Sequence, residues 1–387
     1  MKNITHIHWQ FGLKGGGEAV AMNTLEALQN EFEVCLITDK RPDINHLNSY
    51  YNTNVNEEII DIRTPDYLTV GSISVMELMR KYFQAKLGIL RGFPVEVANK
   101  IAERNLPPTD LLVNTTSEMN SNIPSIEYVH YPLFNQWNNP NMSPPESRLI
   151  KIINDVTLSF ADLDSIRDNT HFVTNSQWTE NIIHDTYQTE ATVVYPPVDV
   201  QQFTSEELRG QEESGFLIIG RLAPGKNIPQ GIDIFKSVID HGYDTHLHVI
   251  GSESNEEYAE HIRSLCDTVP QITYEGEVSR SRYTQLIQGH RYGIHTKSEE
   301  QFGITLAEMI AGGVIPFIPD GGGQREIIEN ESTLLWNSPA ECIENIESVL
   351  NDPQREQNVI DSLPDIEQRF GKQRFQNNII NMVREII

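Results

Sequence analysis

The sequence predicts an α/β protein made of two doubly wound, Rossmann-like domains that face each other across a central cleft. Its 387 residues suit two domains of ordinary size. Strand-like and helix-like segments alternate along the chain, which is typical of parallel sheets with helices on both faces. Two prolines within 195–199 interrupt the alternation, as a stiff hinge would. We expect domains over 1–196 and 197–362, followed by a helical segment over 363–387.

Each element follows from apolar spacing and from the residues that punctuate it. Residues 4–9 predict a strand, 12–17 a glycine loop, and 18–29 a helix with apolar residues at helical spacing. Further apolar runs predict strands over 32–38, 111–114, 126–131, 172–175, 191–195, 216–222, 246–251, 272–277, 292–296, 314–319 and 333–336. Helices are expected over 228–241, 256–267, 281–288, 305–311 and 340–350.

Composition excludes several classes of protein. Hydrophobic residues make up 38% of the chain, which is enough to build packed cores and excludes general disorder. No apolar run reaches the roughly 20 residues of a membrane-spanning helix. The N-terminus lacks the apolar core of a signal peptide, so we expect a cytoplasmic protein. A formal charge of −26 repels phosphates and disfavours a nucleic-acid partner.

Cysteine usage indicates a reducing compartment. Cys35, Cys266 and Cys342 are isolated and odd in number, which fits neither a disulfide framework nor a zinc site. We expect all three to be buried apolar residues.

One loop carries two cations directly after a predicted strand. It runs from Gly220 through Arg221 to Lys226 and precedes a helix. Carboxyl ends of parallel strands point at ligands, and the next helix offers free N–H groups. Arg221 and Lys226 are therefore candidates to clamp a diphosphate. An ordinary turn with solvated charges is the alternative.

A second loop joins two carboxylates to a helix start. Glu300 and Glu308 flank Phe302, Gly303, Ile304 and Thr305, whose amides would open a helix and hold an anion. Carboxylates beside a phosphate are favourable where they accept hydrogen bonds from sugar hydroxyls. We expect Glu300 to bind a hexose and Glu308 a ribose; a capping carboxylate and a solvated helix residue are the alternative.

Two glycine loops and one histidine complete the candidate set. The Gly321–Gly323 turn permits close backbone approach. Gly15, Gly16 and Gly17 open the first helix but do not complete a dinucleotide fingerprint, because Val20 stands at its third glycine; a backbone phosphate nest there stays open. His130 ends a predicted strand and would face the cleft, although a lone histidine is often structural.

No metal or cofactor is expected from these patterns. The other histidines show no metal-ligand spacing, and HExxH is absent. Residues 162–164 match the letters DxD but fall in a helical stretch, so we interpret them as a solvated face.

These loops together resemble the retaining GT-B glycosyltransferases, specifically glycosyltransferase family 4. The Glu300…Glu308 spacing with Phe302-Gly303 between is similar to the family's E-x7-E signature. The resemblance implies a metal-independent hexosyltransferase, with Arg221 and Lys226 on the donor diphosphate. It also implies that the amides of 302–305 bind phosphate.

The resemblance assigns the remaining candidates as well. It implies that Glu300 contacts the transferred sugar and Glu308 the ribose, that His130 lies beside the donor sugar, and that 15–17 meet donor and acceptor. The final helix would cross back to the N-terminal domain. Gln301 stands where glycine is common and would narrow the donor pocket. Gly225 stands where glutamate is common, so the family pattern does not fix the orientation of Lys226.

Donor and acceptor follow from two further segments. Residues 128–132, YVHYP, resemble the HYP segment of mannosyltransferases that extend lipid-linked oligosaccharides, which implies GDP-mannose as donor; UDP-glucose or another UDP-sugar is the alternative. Residues 78–95 hold four cations and no acid among apolar residues. They predict an amphipathic element on an anionic membrane, at the cytoplasmic face and near a lipid-linked or glycan acceptor. A core helix is the alternative.

Two other functions remain open on the same fold. One is an epimerase or hydrolase whose single substrate is a nucleotide sugar. The other is a catalytically silent nucleotide-sugar binder, which the intact Arg221, Lys226, Glu300 and Glu308 disfavour.

The charge also predicts a dependence of folding on salt. Only 11 of the 29 Lys and Arg residues are lysine, and an acidic, lysine-poor surface suits a halophilic source because salt screens self-repulsion. We expect the free energy of unfolding to rise as KCl increases from about 0.1 M to about 1 M. Urea unfolding followed by circular dichroism at each concentration measures it. Full stability at low salt would remove the hypothesis.

Overall fold

The structure is a computed structural model. It describes residues 1–12, 14–64, 69–70, 73–74, 98–100, 102–132, 166–203, 213–253, 255–329 and 331–387. The chain forms an N-terminal unit, Met1–Pro197 with Lys372–Ile387, and a C-terminal unit, Val198–Gly371. The domains expected from the sequence, 1–196 and 197–362 with a helical segment over 363–387, remain predictions. The segments 78–95 and 162–164 lie outside the described residues.

A parallel sheet forms the centre of the N-terminal unit. The strands are β1 Asn3–Ile7, β2 Glu33–Ile37, β3 Asp61–Arg63, β4 Thr69–Val70, β5 Ile73–Ser74, β6 Leu111–Asn114, β7 Ser125–Val129, β8 Thr170–Thr174 and β9 Ala191–Val193. Seven of them pair in parallel in the order β3-β2-β1-β6-β7-β8-β9, while β4 and β5 form a separate antiparallel pair. The middle strands β6 and β7 are buried at every residue, as expected for strands of a parallel sheet that is covered on both faces.

Three helices that are described along their whole length within residues 1–197 pack beside this sheet. They are α1 Gly16–Leu28, α2 Ile44–Tyr51 and α3 Gln177–Tyr187. Helix α2 has no clear signal in the sequence because its residues are largely polar. Its start is set by Asp43, whose carboxylate accepts a hydrogen bond from the backbone N–H of His46 at 2.9 Å.

A second parallel sheet forms the centre of the C-terminal unit. Its strands are β10 Glu213–Ile219, β11 Leu247–Ile250, β12 Ile272–Gly276, β13 His290–Ile294, β14 Ile315–Pro319 and β15 Leu335–Trp336. They pair in the order β12-β11-β10-β13-β14-β15. The helices are α4 Ile228–Asp240, α5 Glu256–Cys266, α6 Arg280–Gln288, α7 Ile304–Ala311, α8 Pro339–Leu350, α9 Pro353–Ser362 and α10 Ile366–Phe370. The alternating strands and helices confirm the predicted α/β class.

The segment predicted as one C-terminal helix contains two. After α10, Gly371 is extended (φ −60°, ψ 153°), and α11 follows over Lys372–Ile386. A Cβ at Gly371 would lie 2.4 Å from the carbonyl oxygen of Glu367, so only glycine fits this break. Apolar spacing continues on both sides of it, and for that reason the sequence pattern hides the break.

Helix α11 belongs to the core of the N-terminal unit. Its buried residues Phe375, Ile379 and Val383 recur every four residues and join the core cluster of the first sheet. Lys372 pairs with Glu26 of α1 at 2.7 Å, and Arg384 pairs with Glu31 at 2.7 Å. The last helix therefore completes a core that begins at residue 4.

Each sheet has one point where the strand order reverses. In the N-terminal unit it lies between β1 and β6, and in the C-terminal unit between β10 and β13. The loops leaving such neighbouring strands diverge and open a crevice at their carboxyl ends. These two points are where ligand-binding residues are expected.

Two smaller findings complete the fold. Cys35, Cys266 and Cys342 are free and buried, as predicted. Among the helices that the structure describes, none combines the length and apolar composition that a membrane crossing requires.

We expect Phe375→Ala to lower the free energy of unfolding of the N-terminal unit by about 3–5 kcal/mol, because it leaves a cavity in the core. Phe375 is 2% exposed and its ring packs edge-on against Tyr128. Urea unfolding followed by tryptophan fluorescence measures the change. Asn381→Ala on the exposed face of α11 is the matched control, expected within about 0.5 kcal/mol of wild type. Equal changes in the free energy of unfolding for the two substitutions would contradict the contribution of α11 to the core of the N-terminal unit.

Candidate functional site

Two loops of the C-terminal unit meet where its strand order reverses, between β10 and β13. The first follows β10 and holds Arg221 and Lys226, with a tight turn over Pro224–Lys226. The second follows β13 and leads into α7. The hydroxyl of Thr296 donates a hydrogen bond to the carbonyl oxygen of Lys226 at 2.6 Å. This bond holds the two loops together and brings Lys226 to the second one.

Glu300 lies in the second loop among cationic side chains. It is 8% exposed. One carboxylate oxygen pairs with the Lys226 ammonium, and the other lies 3.1 Å from the Lys297 ammonium. His295 Nε2 is 3.7 Å from the oxygen that Lys226 contacts. Two ammonium groups thus meet one buried carboxylate, and this cluster carries a net positive charge.

The protonation states of this cluster follow from burial and charge. Burial by itself raises the pKa of Glu300, but the charges of Lys226 and Lys297 outweigh it and lower the pKa to about 2. Burial, together with the charge of Lys226, lowers the pKa of His295 to about 4. At neutral pH the carboxylate is therefore ionised and the imidazole is neutral.

The glycine turn of 321–323 supports the position of Glu300. The backbone N–H of Gly323 donates to the carbonyl oxygen of Glu300 at 2.8 Å. Gly322 has a φ of +69°, and a Cβ there would lie 2.5 Å from the same oxygen. The side-chain amide of Gln324 donates to the carbonyl of Lys297 at 3.1 Å. This loop therefore positions the backbone of the acidic loop.

Helix α7 begins directly after this loop. Gly303 is its N-cap residue with a φ of +101°, and no side chain caps the helix. The amides of Ile304 and Thr305 occupy the first turn, where helical geometry gives an N–H no partner. Phe302 is buried with its ring 5.2 Å from that of Phe370, so its side chain anchors the turn. The helix start offers donors and a partial positive charge to an anion.

Glu308 is held one turn further along α7. Its carboxylate accepts hydrogen bonds from Arg280 Nη2 at 2.6 Å and from the Tyr283 hydroxyl at 2.6 Å. Arg280 and Tyr283 are three residues apart on α6, so both reach the same side of that helix. Glu308 is consequently a buried, oriented acceptor rather than a solvated helix residue.

The N-terminal unit gathers a second cluster around Thr115. This residue follows β6, while His8 follows β1 and His130 follows β7. The Thr115 hydroxyl lies 3.0 Å from His8 Nδ1 and 2.8 Å from His6 Nε2. His130 Nε2 lies 3.1 Å from the Thr115 carbonyl oxygen. A carbonyl only accepts, so Nε2 of His130 carries the proton and its Nδ1 is left as an acceptor.

Burial keeps these imidazoles neutral. It lowers the pKa of His130 to about 4 and, with the charge of His130, that of His8 to about 3. The cluster is therefore uncharged at neutral pH. It suits hydroxyl groups better than an anion.

The glycine loop lies beside His130. Helix α1 begins at Gly16 with Gly15 as its N-cap residue. A Cβ at Gly17 would lie 3.4 Å from His130 Nε2, an ordinary van der Waals distance, so the imidazole lies directly beside the helix start. The Tyr51 hydroxyl is 3.1 Å from Glu18 in the first turn of α1.

The predicted residues thus fall into two groups. The structure brings Lys226, Glu300 and the start of α7 together in the C-terminal unit. It brings His130 together with the glycines of 15–17 in the N-terminal unit. Arg221 is exposed, and within the described part of the chain it forms no ion pair or hydrogen bond with another side chain. Gln301, noted as a departure from the family, accepts a hydrogen bond from Lys297 at 2.9 Å.

Four residues of the C-terminal cluster were missed by the sequence analysis. His295 and Lys297 stand directly after β13, the same position after a strand that singled out His130. A position at the carboxyl end of a strand could therefore have identified His295 and Lys297 from the sequence. Arg280 and Tyr283 lie more than 20 residues before Glu308, and no local pattern connects them to it.

We expect Glu300→Gln to be less stable than wild type by about 2–4 kcal/mol at pH 7, because two lysines are left around an uncharged amide. The Glu300 carboxylate has a folded pKa of about 2, below its ordinary 4.5. Its contribution is therefore complete above pH 4.5 and disappears as the pH falls towards 2. Urea unfolding of both proteins at pH 7, 5 and 3 measures this difference.

Glu344→Gln, at an exposed position of α8, is the matched control, and its free energy of unfolding should stay within about 0.5 kcal/mol of that of the wild type. A Glu300→Gln difference that does not shrink below pH 4.5 would contradict the ion-pair cluster.

Sequence comparison finds a family match in the C-terminal unit. Residues 199–363 match the model of the glycosyl transferases group 1. The chain is 24% identical over 299 residues to the GDP-Man:Man(3)GlcNAc(2)-PP-Dol alpha-1,2-mannosyltransferase of Dictyostelium discoideum, covering 67% of this chain and 59% of that protein. The protein of the same name from Caenorhabditis elegans is 27% identical over 168 residues, covering 39% and 36%. The chain thus spans less than two thirds of the length of these curated relatives.

Structural comparison covers both units. HepE of Anabaena, solved in complex with UDP and glucose, superposes with a TM-score of 0.68 at 15% identity over 100% of both chains. Sucrose-phosphate synthase from Thermosynechococcus elongatus has a TM-score of 0.70 at 13% identity, over 100% of this chain and 99% of that one. These comparisons assign the chain the GT-B fold and confirm its predicted resemblance to GT-B glycosyltransferases, with residues 199–363 matching the glycosyl transferases group 1.

Proposed function

We propose that the chain is a retaining, metal-independent hexosyltransferase that moves mannose from GDP-mannose to a lipid-linked or surface-glycan acceptor. The observation that carries this proposal is the buried Glu300 between Lys226 and Lys297, directly before the uncapped start of α7. A cluster of this kind offers cations to a diphosphate and an acceptor to a sugar hydroxyl. Assignment to glycosyltransferase family 4 belongs to the same proposal.

Lys226, Arg221 and the α7 amides are assigned to the donor diphosphate. An ammonium has three N–H donors, so Lys226 can keep its bond to Glu300 and still donate to a phosphate oxygen. Arg221 is exposed on the same loop and can swing onto the second phosphate. The first-turn amides of Ile304 and Thr305 add fixed donors. Lys297 raises the local positive charge without a predicted role in the family pattern.

Glu300 and Glu308 are assigned to hydroxyl groups of the donor. An ionised carboxylate accepts hydrogen bonds and cannot donate, and the pKa of Glu300, lowered to about 2, keeps it ionised throughout the neutral range. Glu300 would accept from the transferred hexose. Glu308, oriented by Arg280 and Tyr283, would accept from the ribose.

The chemical step needs stabilisation of a leaving diphosphate. As the glycosidic C–O bond to the β-phosphate breaks, charge grows on the phosphate oxygens and the sugar becomes oxocarbenium-like. Preorganised cations and amides act there without reorganisation. The acceptor hydroxyl attacks the face from which the phosphate departs, and a phosphate oxygen takes its proton. No second carboxylate of the hydrolase type is then required.

The N-terminal unit is assigned contacts with uncharged groups. The neutral His130 has Nδ1 available as an acceptor and would bind a sugar hydroxyl. The backbone of Gly15, Gly16 and Gly17 would approach donor and acceptor closely. A membrane surface contacted through 78–95 and a cytoplasmic, peripheral location remain part of this proposal.

Two observations bear on the donor. Relatives named for GDP-Man favour GDP-mannose, and the residues YVHYP at 128–132 fit that choice. The HepE structure was solved with UDP and glucose, which makes UDP-glucose the second candidate.

We expect Lys226→Ala and Glu300→Ala each to lower the transfer rate by at least about 10²-fold, with the circular dichroism spectrum of the folded protein retained. Transfer is measured as nucleotide released from GDP-mannose in the presence of a diphosphate-linked lipid oligosaccharide. Lys236→Ala, a partly exposed lysine of α4 that pairs with Asp233 at 3.8 Å, is the matched control and should keep the wild-type rate. Wild-type turnover in either active-site variant would overturn the assignment.

The same assay separates the alternatives. Release from UDP-glucose but not from GDP-mannose would change the donor. Release without an acceptor indicates a hydrolase, and a new nucleotide sugar without release indicates an epimerase. Binding without either reaction indicates a silent binder. Turnover that stops in EDTA and returns with Mg²⁺ would contradict metal independence.

A further inference from the structure

Three histidines meet at the other edge of the C-terminal sheet. His246 precedes β11, His248 is the second residue of β11, and His290 is the first residue of β13. All three therefore lie near the amino ends of their strands, whereas the candidate active site lies at the carboxyl ends. At about 3.3 Å per residue, the five steps from Gly215 in β10 to Gly220 directly after it separate the two places by about 17 Å.

A glycine in the intervening strand makes this meeting possible. Strand β10 runs between β11 and β13. A Cβ at its Gly215 would lie 2.4 Å from His246 Nε2 and 2.7 Å from His290 Cδ2. Because Gly215 has no side chain, the two imidazoles reach across β10 and their Nε2 atoms come within 3.2 Å of each other. Any other residue here would occupy the place where they meet.

Two of the imidazoles have one nitrogen fixed by an oxygen acceptor. His290 Nδ1 is 2.7 Å from the carbonyl oxygen of Leu286, and His248 Nδ1 is 2.8 Å from a carboxylate oxygen of Glu275. Both oxygens accept, so both Nδ1 atoms carry protons and both Nε2 atoms carry lone pairs. A histidine oriented through its other nitrogen by a carboxylate or a carbonyl is the usual arrangement around a bound metal ion.

Burial and distance suit a divalent transition metal. His290 is buried and His246 and His248 are half-buried. One ligand atom from each of the three histidines lies within 4.8 Å of the others. Two nitrogens bound to one zinc ion at 2.0–2.1 Å are at most about 4.2 Å apart. Small ring rotations would therefore bring the three imidazole nitrogens within reach of one ion. Arg282 lies 2.6 Å from the same Glu275 oxygen that His248 contacts, so it holds this carboxylate in place behind His248.

We propose that His246, His248 and His290 bind one Zn²⁺-class ion, with Glu275 orienting His248 and Gly215 providing the space. Three imidazoles favour zinc, cobalt, nickel or copper over magnesium or calcium, which prefer oxygen ligands. Water would complete the tetrahedral set. The ion would connect β11 to β13 across β10, and it would stabilise the C-terminal unit at the edge opposite the candidate active site.

Titration of the metal-free full chain tests this site. Zn²⁺ is added in competition with a chromophoric chelator, and Co²⁺ is added separately to record its visible absorption bands. We expect one equivalent of tightly bound ion, tetrahedral Co²⁺ bands, and a rise in the melting temperature with Zn²⁺. His246→Gln and His290→Gln should each weaken binding by at least about 100-fold, and Glu275→Gln by about 10-fold or more.

His261→Gln, an exposed histidine of α5, is the matched control and should bind as wild type does. Gly215→Ala should lose binding, and if this variant does not fold the glutamine variants still decide the question. Absence of a stoichiometric ion in wild type overturns the proposal. So does unchanged affinity in His246→Gln and His290→Gln, which would leave only a hydrogen bond between two imidazoles.

Discussion

A carboxylate inside a protein needs positive charge around it, and the candidate active site is organised by how Glu300 meets this requirement. Lys226 comes from the loop after β10 and Lys297 from the loop after β13, so the ion pairs join the two strands at which the sheet order reverses. The glycine turn of 321–323 holds the backbone of Glu300. Loss of that one charge would therefore remove the ion pairs between the two loops and leave two half-buried cations without this counter-ion.

The two units provide different electrical environments. In the C-terminal unit, ammonium groups, a carboxylate and a helix start are packed together, which suits a strongly charged group. In the N-terminal unit, Thr115 is surrounded by imidazoles that burial keeps neutral. This division is expected if one unit binds the diphosphate part of a nucleotide sugar while the other contacts uncharged hydroxyls.

Much of this could be predicted from the sequence, and what could not has a physical reason. Lys226, Glu300 and His130 were found because each stands in or beside a loop that follows an apolar strand, and strand ends can be located from local patterns. Arg280 and Tyr283 reach Glu308 from another helix, and His246 reaches His290 across 44 residues of chain. Such contacts depend on which strands are neighbours. The break at Gly371 was hidden because apolar spacing continues through it.

Helix α11 has a consequence for how the protein is made. The ribosome synthesises residues 1–197 long before it adds Phe375, Ile379 and Val383, which fill the same core. Part of the interior of the nascent N-terminal unit therefore stays exposed while Val198–Gly371 is synthesised. The C-terminal unit can fold during this time. During translation the second unit is able to mature first, and the exposed surface of the earlier one is where a chaperone would act.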